Sequence, residues 1–252
     1  DVIGPHVIRA TPAALAWARA APIVKALDNP AALITARPDA LRVFRAYFPD
    51  QDLSRLPPEA AVGVILQRLG GYRHPLLYVE LLNECYQRLS EGLRDYVAWT
   101  QRATALLHAQ GLRVAGFSFS TGNPEVEDWA YLRSQGFAGV DAVALHCYWG
   151  AQGFTLWHAL RYRRLWQPGD PPLIITECGR DAVEGGKGGW LRDGIGPEQY
   201  VGELLAYARE LQKDACVLGA TVFTAGPTPD WEAFDTDRIT DRLLQVVWPV
   251  RA

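Results

Sequence analysis

Two glutamates follow strongly apolar stretches of the chain, Glu84 at the end of LLYVELLNE and Glu177 at the end of PLIITE. Burying an unpaired carboxylate is costly, so we expect both side chains to face a polar cavity. Two facing carboxyl groups are what hydrolysis of a glycosidic bond requires, because one protonates the leaving oxygen while the other attacks the anomeric carbon. These two roles require different environments, so that the two carboxyl groups have different pKa values.

The elements that would position these residues are short apolar, β-branched runs alternating with longer helical stretches, with no linker between them. Such alternation predicts βα units and a parallel sheet. We count eight runs with strand character, over residues 3–9, 22–28, 41–48, 76–84, 113–120, 142–148, 173–178 and 215–224.

Helical signals fall between these runs. Thr11 is a predicted N-cap for a helix over 12–21, and Ser90 for a longer one that ends at Gln110. Further helices are expected over 59–69, from Pro197 onward and over 236–247, while 31–36 fits either helix or strand. Eight strand–helix pairs in 252 residues match the size of a TIM barrel, so we predict one (β/α)8 domain over 1–252. A doubly wound sheet is the alternative, but the chain has no GxGxxG or GxxxxGK[ST] loop.

In a TIM barrel the catalytic groups lie at the carboxyl ends of the strands. Lys25 and Asp28 are predicted to form a structural ion pair at that rim, and mid-strand Glu80 a buried, paired acid. The glycine-rich loop EGGKGGW fits either a mobile lid or a disordered surface segment. The other candidates at or just after the strand ends are His6, Arg45, Asn83, Glu84, His146, Tyr148, Trp149, Glu177, Trp190, Phe223 and Trp231. The three tryptophans are expected in the mouth, where an indole face can stack on a sugar ring.

Three stretches resemble motifs of the clan A glycoside hydrolases. VELLNEC resembles the strand-four motif in which an Asn-Glu pair ends the strand, and looks most like that of the family-five cellulase-like enzymes. LIITECG resembles the strand-seven motif that carries the nucleophile, and ALHCYWG resembles the strand-six His-x-Tyr. The three occur in the expected order on the expected strands.

The resemblance implies a retaining hydrolase of β-glycosidic bonds that needs no metal or organic cofactor. Glu84 would be the general acid/base, Glu177 the nucleophile, Asn83 a ligand of the sugar 2-hydroxyl, and Tyr148 the residue that holds the nucleophile. Arg45 would stand in for the clan's arginine near the nucleophile. Further substrate contacts are expected from His146, His6, Trp149, Trp190, Trp231 and Phe223.

Two departures from the family pattern leave an alternative open. Cys85 stands where a proline usually follows the acid/base, and Phe223 occupies the region of the usual strand-eight tryptophan. The missing strand-eight tryptophan gives weight to the runner-up, a catalytically silent barrel that binds carbohydrate. A metal-dependent hydrolase would need converging histidines, and the first strand offers only His6. Short loops favour an open cleft and hence endo-action.

The composition excludes some classes of binding partner. The net charge of −3 gives no basic excess for nucleic acid, and no apolar run reaches the ~18 residues of a membrane span. The cysteines lack zinc-ligand spacing; Cys147 and Cys178 are either core thiols or, in an oxidising compartment, a disulfide. An oligo- or polysaccharide is the expected partner, which favours an extracellular or periplasmic location. The absence of Met indicates cleavage, trimming or an upstream region before Asp1.

Overall fold

The computed structural model describes residues 2–85, 88 and 91–247. Eight parallel strands form a closed barrel in chain order, and the last strand pairs with the first. The predicted TIM barrel is therefore confirmed. The strands are β1 (Ile3–Val7), β2 (Ile23–Leu27), β3 (Leu41–Arg45), β4 (Leu77–Glu80), β5 (Arg113–Phe119), β6 (Ala142–Trp149), β7 (Leu173–Arg180) and β8 (Val217–Ala225).

Seven α-helices surround the described barrel: α1 (Pro12–Ala20), α2 (Ala31–Thr35), α3 (Pro58–Leu69), α4 (Leu93–His108), α5 (Val126–Ser134), α6 (Pro197–Leu211) and α7 (Thr240–Val247). The Thr11 hydroxyl accepts the Ala14 amide at 3.1 Å, which confirms the first predicted cap. The second, Ser90, lies outside the described residues. The sixth unit departs from the expected eight pairs, because only a 3₁₀ turn, Arg161–Arg164, stands between β6 and β7.

The fourth strand is shorter than predicted and ends at Glu80 rather than at Glu84. Its ladder with β5 stops at Glu80 opposite Ala115, shortly before Phe117 and Ser118 take positive φ angles of 77° and 40°. The next link between the two segments is the Glu84 amide, which donates to the Ser118 carbonyl at 3.1 Å. Glu84 therefore stands above the barrel on an irregular segment instead of within the sheet.

The barrel interior has two layers of different polarity. The lower layer is a small apolar cluster of Ile23, Val43, Tyr78, Ala115, Ala142, Ala144 and Ile174, all buried. Lys25 follows Ile23 by two residues and so points to the same interior face, one layer higher. The lower layer closes the interior from below, and the charged side chains above it therefore lie in a largely dry environment. Among the described helices, none is long and apolar enough to cross a membrane.

The contact between β1 and β2 depends on Gly4. A Cβ atom added at Gly4 would lie 1.7 Å from the Ile23 carbonyl oxygen, which is backbone and cannot move aside. We expect Gly4→Ala to lower the free energy of unfolding by about 3 kcal/mol or more, because overpacking here must separate two strands. Urea unfolding followed by circular dichroism measures it.

Gly63→Ala on α3 is the matched control. A Cβ there meets nothing within 4 Å, so alanine should raise stability by about 0.5–1 kcal/mol. Equal urea midpoints for the two variants would contradict this account of the β1–β2 contact.

Candidate active site

A cavity of about 460 Å³ opens at the carboxyl ends of the strands, a volume typical of small-molecule sites. It contains both glutamates singled out from the sequence. Of the predicted site residues, it is lined by Arg45, Asn83, Glu84, Tyr148, Glu177, Phe223 and Trp231. His6 and His146 are buried directly beneath it, in contact with these carboxylates.

Glu177 is held by groups from three other strands. Its Oε1 atom lies 2.9 Å from Arg45 Nη1 and 3.2 Å from Lys25 Nζ, and Oε2 accepts the Tyr148 hydroxyl at 2.8 Å. An irregularity in the β6–β7 ladder aims the carboxylate, because Leu145 pairs with Ile175 whereas His146 pairs with Glu177. The extra residue on β7 is a β-bulge, which re-aims a side chain.

The charge state of Glu177 follows from this environment. Burial would raise the pKa of its carboxyl, but His146, Lys25, Arg45 and His6 together hold that pKa well below its usual range. Burial, reinforced by the nearby carboxylate, raises the pKa of Tyr148 well above its usual value, so the phenol stays protonated and donates. Glu177 is thus an ionised, oriented carboxylate.

A second buried acid lies below the first. Glu80 is fully buried, as predicted, with its Oε2 2.6 Å from Lys25 Nζ and its Oε1 accepting the hydroxyls of Ser118 and Thr176, each at 2.8 Å. Lys25 bridges Glu80 and Glu177. Burial and Arg45 lower the pKa of its ammonium, and the two carboxylates oppose that shift.

The predicted Lys25–Asp28 ion pair is wrong. Asp28 instead pairs with Arg68 near the surface, whereas Lys25 is fully buried inside the barrel. The reason is strand parity: Lys25 shares the inward face of β2 with Ile23, and a buried ammonium there requires buried carboxylates.

Glu84 has a different environment. Its side chain is 39% exposed, against 8% for Glu177, and its Oε1 lies 2.7 Å from His146 Nδ1. The same nitrogen lies 3.6 Å from Glu177 Oε2, so His146 is close to both carboxylates. Although burial lowers the pKa of His146, the nearby carboxylates Glu177, Glu80 and Glu84 outweigh it and raise that pKa.

The backbone around Glu84 is unusual and firmly held. Glu84 has a φ of 55°, a left-handed conformation that costs a non-glycine residue of order 1 kcal/mol or more and clusters at functional sites. The preceding Asn83 is fixed on both sides by Gln51, whose Oε1 accepts the Asn83 amide at 2.6 Å and whose Nε2 donates to its carbonyl at 3.2 Å. Arg45 Nη1 donates to Asn83 Oδ1. Gln51 and Lys25 are site residues that sequence reasoning missed.

An aromatic wall borders the cavity. Phe223 at the end of β8 lies edge-on to Tyr148, Trp231 and Phe234, with ring centroids 6.4, 5.1 and 5.3 Å away. Trp231 is 44% exposed, as a stacking surface for a ligand must be. His6 packs behind Phe223 with its Nδ1 3.6 Å from Glu177 Oε1, and burial, followed by Lys25, lowers its pKa well below the usual value.

Two predicted contacts lie elsewhere. Trp149 is the last residue of β6 and points outward, where its Nε1 donates to Glu203 of α6 at 3.0 Å. Trp190 is buried and stacks on Tyr200 with ring centroids 5.1 Å apart. The alternation that put His146 and Tyr148 inside also puts Trp149 outside, a signal present in the sequence.

Neither Cys147 nor Cys178 forms a disulfide; both are free, buried thiols on adjacent strands. Burial raises the pKa of Cys147 to about 12 and that of Cys178 well above its usual value, so neither carries a thiolate at neutral pH. The described residues include no group of three or more His, Cys, Asp or Glu side chains placed to hold a metal.

Lys25→Met tests the charge arrangement. We expect it to lower the free energy of unfolding by about 3–5 kcal/mol, because two buried carboxylates lose their shared ammonium. The pKa values of Glu80 and Glu177 lie below those of the unfolded chain, so their stabilisation is present above the usual carboxyl pKa and is lost as pH falls toward the folded values. The stability of the wild type should therefore fall on acidification, and that of the variant should fall less.

Urea unfolding across about pH 3.5–7 measures both effects. Lys213→Met is the control, since its pair with Glu210 lies at the surface. The same acid dependence in Lys25→Met and wild type would refute the assigned role of Lys25.

No protein-family model matches the chain, and no curated protein matches it. Several solved structures do match the chain. The mannanase catalytic domain of Streptomyces sp. SirexAA-E aligns with a TM-score of 0.61 at 16% identity, over 99% of this chain and 85% of that one. A GH128 (subgroup II) endo-beta-1,3-glucanase from Sorangium cellulosum aligns with a TM-score of 0.60 at 16% identity, over 93% and 91%.

The chain also aligns with Bacteroides uniformis beta-glucuronidase 2, with a TM-score of 0.56 at 14% identity. The alignment covers 89% of this chain but only 30% of that protein, so the chain spans about a third of its length. At these identities the similarity shows the fold alone, a barrel that this chain shares with these three glycoside hydrolases.

Proposed function

We propose that the chain is a retaining glycoside hydrolase of β-linked glycans, with Glu177 as the nucleophile and Glu84 as the general acid/base. The observation that carries the proposal is that two carboxyl groups in different environments line one cavity, with an oxygen of each within 3.6 Å of His146 Nδ1. The fold shared with known glycoside hydrolases supports it. Closeness to the family-five cellulase-like enzymes stays a prediction.

The two environments suit the two roles. A nucleophile must be ionised and fixed, which Arg45, Lys25 and Tyr148 achieve for Glu177. A general acid/base must exchange protons with solvent between the two steps, and Glu84 is the more exposed of the pair. Asn83, beside Glu84 and held by Arg45, is the proposed ligand of the sugar 2-hydroxyl.

The spacing of the carboxyl groups supports retention. Glu84 Oε1 and Glu177 Oε2 lie 2.7 and 3.6 Å from the same nitrogen, so these two oxygens cannot be further apart than those distances combined. The separation of about 5–5.5 Å between the carboxyl groups of retaining enzymes is compatible with that bound.

The proposed reaction has two displacements. In the first, Glu177 Oε attacks the anomeric carbon, the glycosidic C–O bond breaks, and Glu84 gives its proton to the leaving oxygen. In the second, Glu84 takes a proton from water, the hydroxide oxygen bonds to the anomeric carbon, and Glu177 leaves as a carboxylate. Ester formation removes the charge of Glu177 while Lys25 and Arg45 remain, so both cations favour the second step.

The substrate class follows from the cavity wall. Trp231 and Phe223 offer apolar faces to the sugar ring, as expected of a carbohydrate site. Glu84 and Trp231 are both exposed, and we propose endo-action on a glycan that lies across an open cavity.

Removal of either carboxylate should abolish hydrolysis. We expect Glu177→Ala to lose activity on all substrates, by about 10⁴-fold or more, because the nucleophile is gone. Glu84→Gln should lose activity on polysaccharides but keep turnover of aryl glycosides whose leaving groups need no protonation. A panel of β-glucans, mannans and xylans, assayed for reducing ends and product length, measures activity and endo-action.

Glu210→Gln, at the far end of α6, is the matched control. Proton NMR of the first-formed product reports the anomer, and an inverted product would exclude the double displacement. Oligosaccharide binding with no turnover of any glycan would instead indicate a silent carbohydrate-binding barrel.

Tyr148→Phe removes only the hydroxyl that donates to Glu177 Oε2. Because that bond favours the ionised carboxylate, its loss should raise the pKa of Glu177 and move the acidic limb of kcat/KM to higher pH. We expect kcat/KM at the optimum to fall about 10- to 100-fold, the usual worth of a hydrogen bond to a charged group. A pH profile unchanged in shape would contradict this role.

A further inference from the structure

The glycine-rich loop between β7 and α6 forms part of the cavity wall and is held there by several contacts. Asp193 fixes it, with one carboxylate oxygen accepting the Lys187 amide at 2.6 Å and the other 2.5 Å from Arg180 Nε. The Leu191 amide donates to the Ala233 carbonyl at 3.1 Å, and a Cβ at Gly189 would strike that same carbonyl. The loop therefore packs directly against the segment that carries Trp231.

This wall presents two cations to the cavity. Lys187 and Arg192 both line it, and both are exposed to solvent. Within residues 2–85, 88 and 91–247, neither has a carboxylate within ion-pair distance; the third lining cation, Arg45, is 2.9 Å from Glu177. Arg180, the last residue of β7, does not line the cavity and pairs with Asp193 and Glu203.

The two catalytic candidates, Glu177 and Glu84, do not depend on these two cations. Glu177 is compensated by Arg45 and Lys25, and Glu84 faces His146. The remaining acid is Asp181, whose pKa is raised by burial first and then by Glu84 and Glu177. Two unpaired cations beside an aromatic stacking surface match a ligand that has both an apolar ring face and a negative charge.

We propose that the cavity binds a β-glycan carrying an anionic substituent, and that Lys187 and Arg192 recognise the anion. The ring stacks on Trp231 and Phe223 while its charged group points to the adjoining loop. This inference rests on the proposed hydrolase activity for its catalytic consequence, but recognition of the anion is separable from turnover. A sugar carboxylate and a sugar sulfate share the chemistry that this pair of cations would bind.

The test uses matched substrates. Uronic-acid-containing β-glycans are compared with their carboxyl-reduced forms, and sulfated β-glycans with their desulfated forms. We expect kcat/KM to be at least about 10-fold higher for the charged member of one pair, through a lower KM, and added salt to reduce that preference. The pair that shows the preference identifies the anion as carboxylate or sulfate.

Lys187→Ala/Arg192→Ala should remove most of the preference, whereas Arg209→Ala, an exposed arginine at the far end of α6, should keep it. A preference that survives the double variant, or equal kcat/KM for every charged and neutral pair, would overturn the inference and leave the hydrolase proposal intact.

Calorimetry on Glu84→Gln with the same oligosaccharides separates binding from catalysis. If nothing is cleaved, tighter binding of the charged member that depends on Lys187 and Arg192 still supports the inference. Equal binding of charged and neutral members would overturn it.

Discussion

The candidate site depends on charge compensation inside a closed, dry barrel. Lys25 and Arg45 bring two positive charges, Glu80 and Glu177 bring two negative ones, and all four side chains are less than 10% exposed. Burying any one of these charges without a partner would cost a large share of the stability of a typical domain, or would force a titratable group to become neutral. The apolar lower layer strengthens the arrangement by keeping water away from it from below.

Depth within the barrel separates the two catalytic candidates. Glu177 stands among cations because the β7 bulge directs it inward, whereas Glu84 stands on the irregular segment above the shortened β4. Two residues of the same type therefore have different dielectric surroundings although both lie within 3.6 Å of the same imidazole nitrogen. The fold produces this asymmetry through backbone geometry, with no difference in side-chain chemistry.

Much of the architecture could be predicted because apolar runs and turn residues are local signals. Eight strands, the Thr11 cap and the position of Glu84 and Glu177 at the barrel mouth follow from them. The partners of Lys25 could not be predicted, because the carboxylates that meet it depend on the register of β4 and β7, far along the chain. The buried position of Trp190 was missed for a related reason. The path of a loop is set by contacts such as that of Gly189 with Ala233, and the hydrophobic periodicity of the sequence does not reveal such contacts.

The distribution of these charges along the chain bears on how the barrel assembles. Lys25, Arg45 and Glu80 all come from β2–β4, so a half-barrel of these strands carries one uncompensated positive charge in its interior. The balancing carboxylate, Glu177, arrives 97 residues after Glu80, on β7. Closure of the second half of the chain therefore stabilises the barrel through charge compensation as well as through apolar burial.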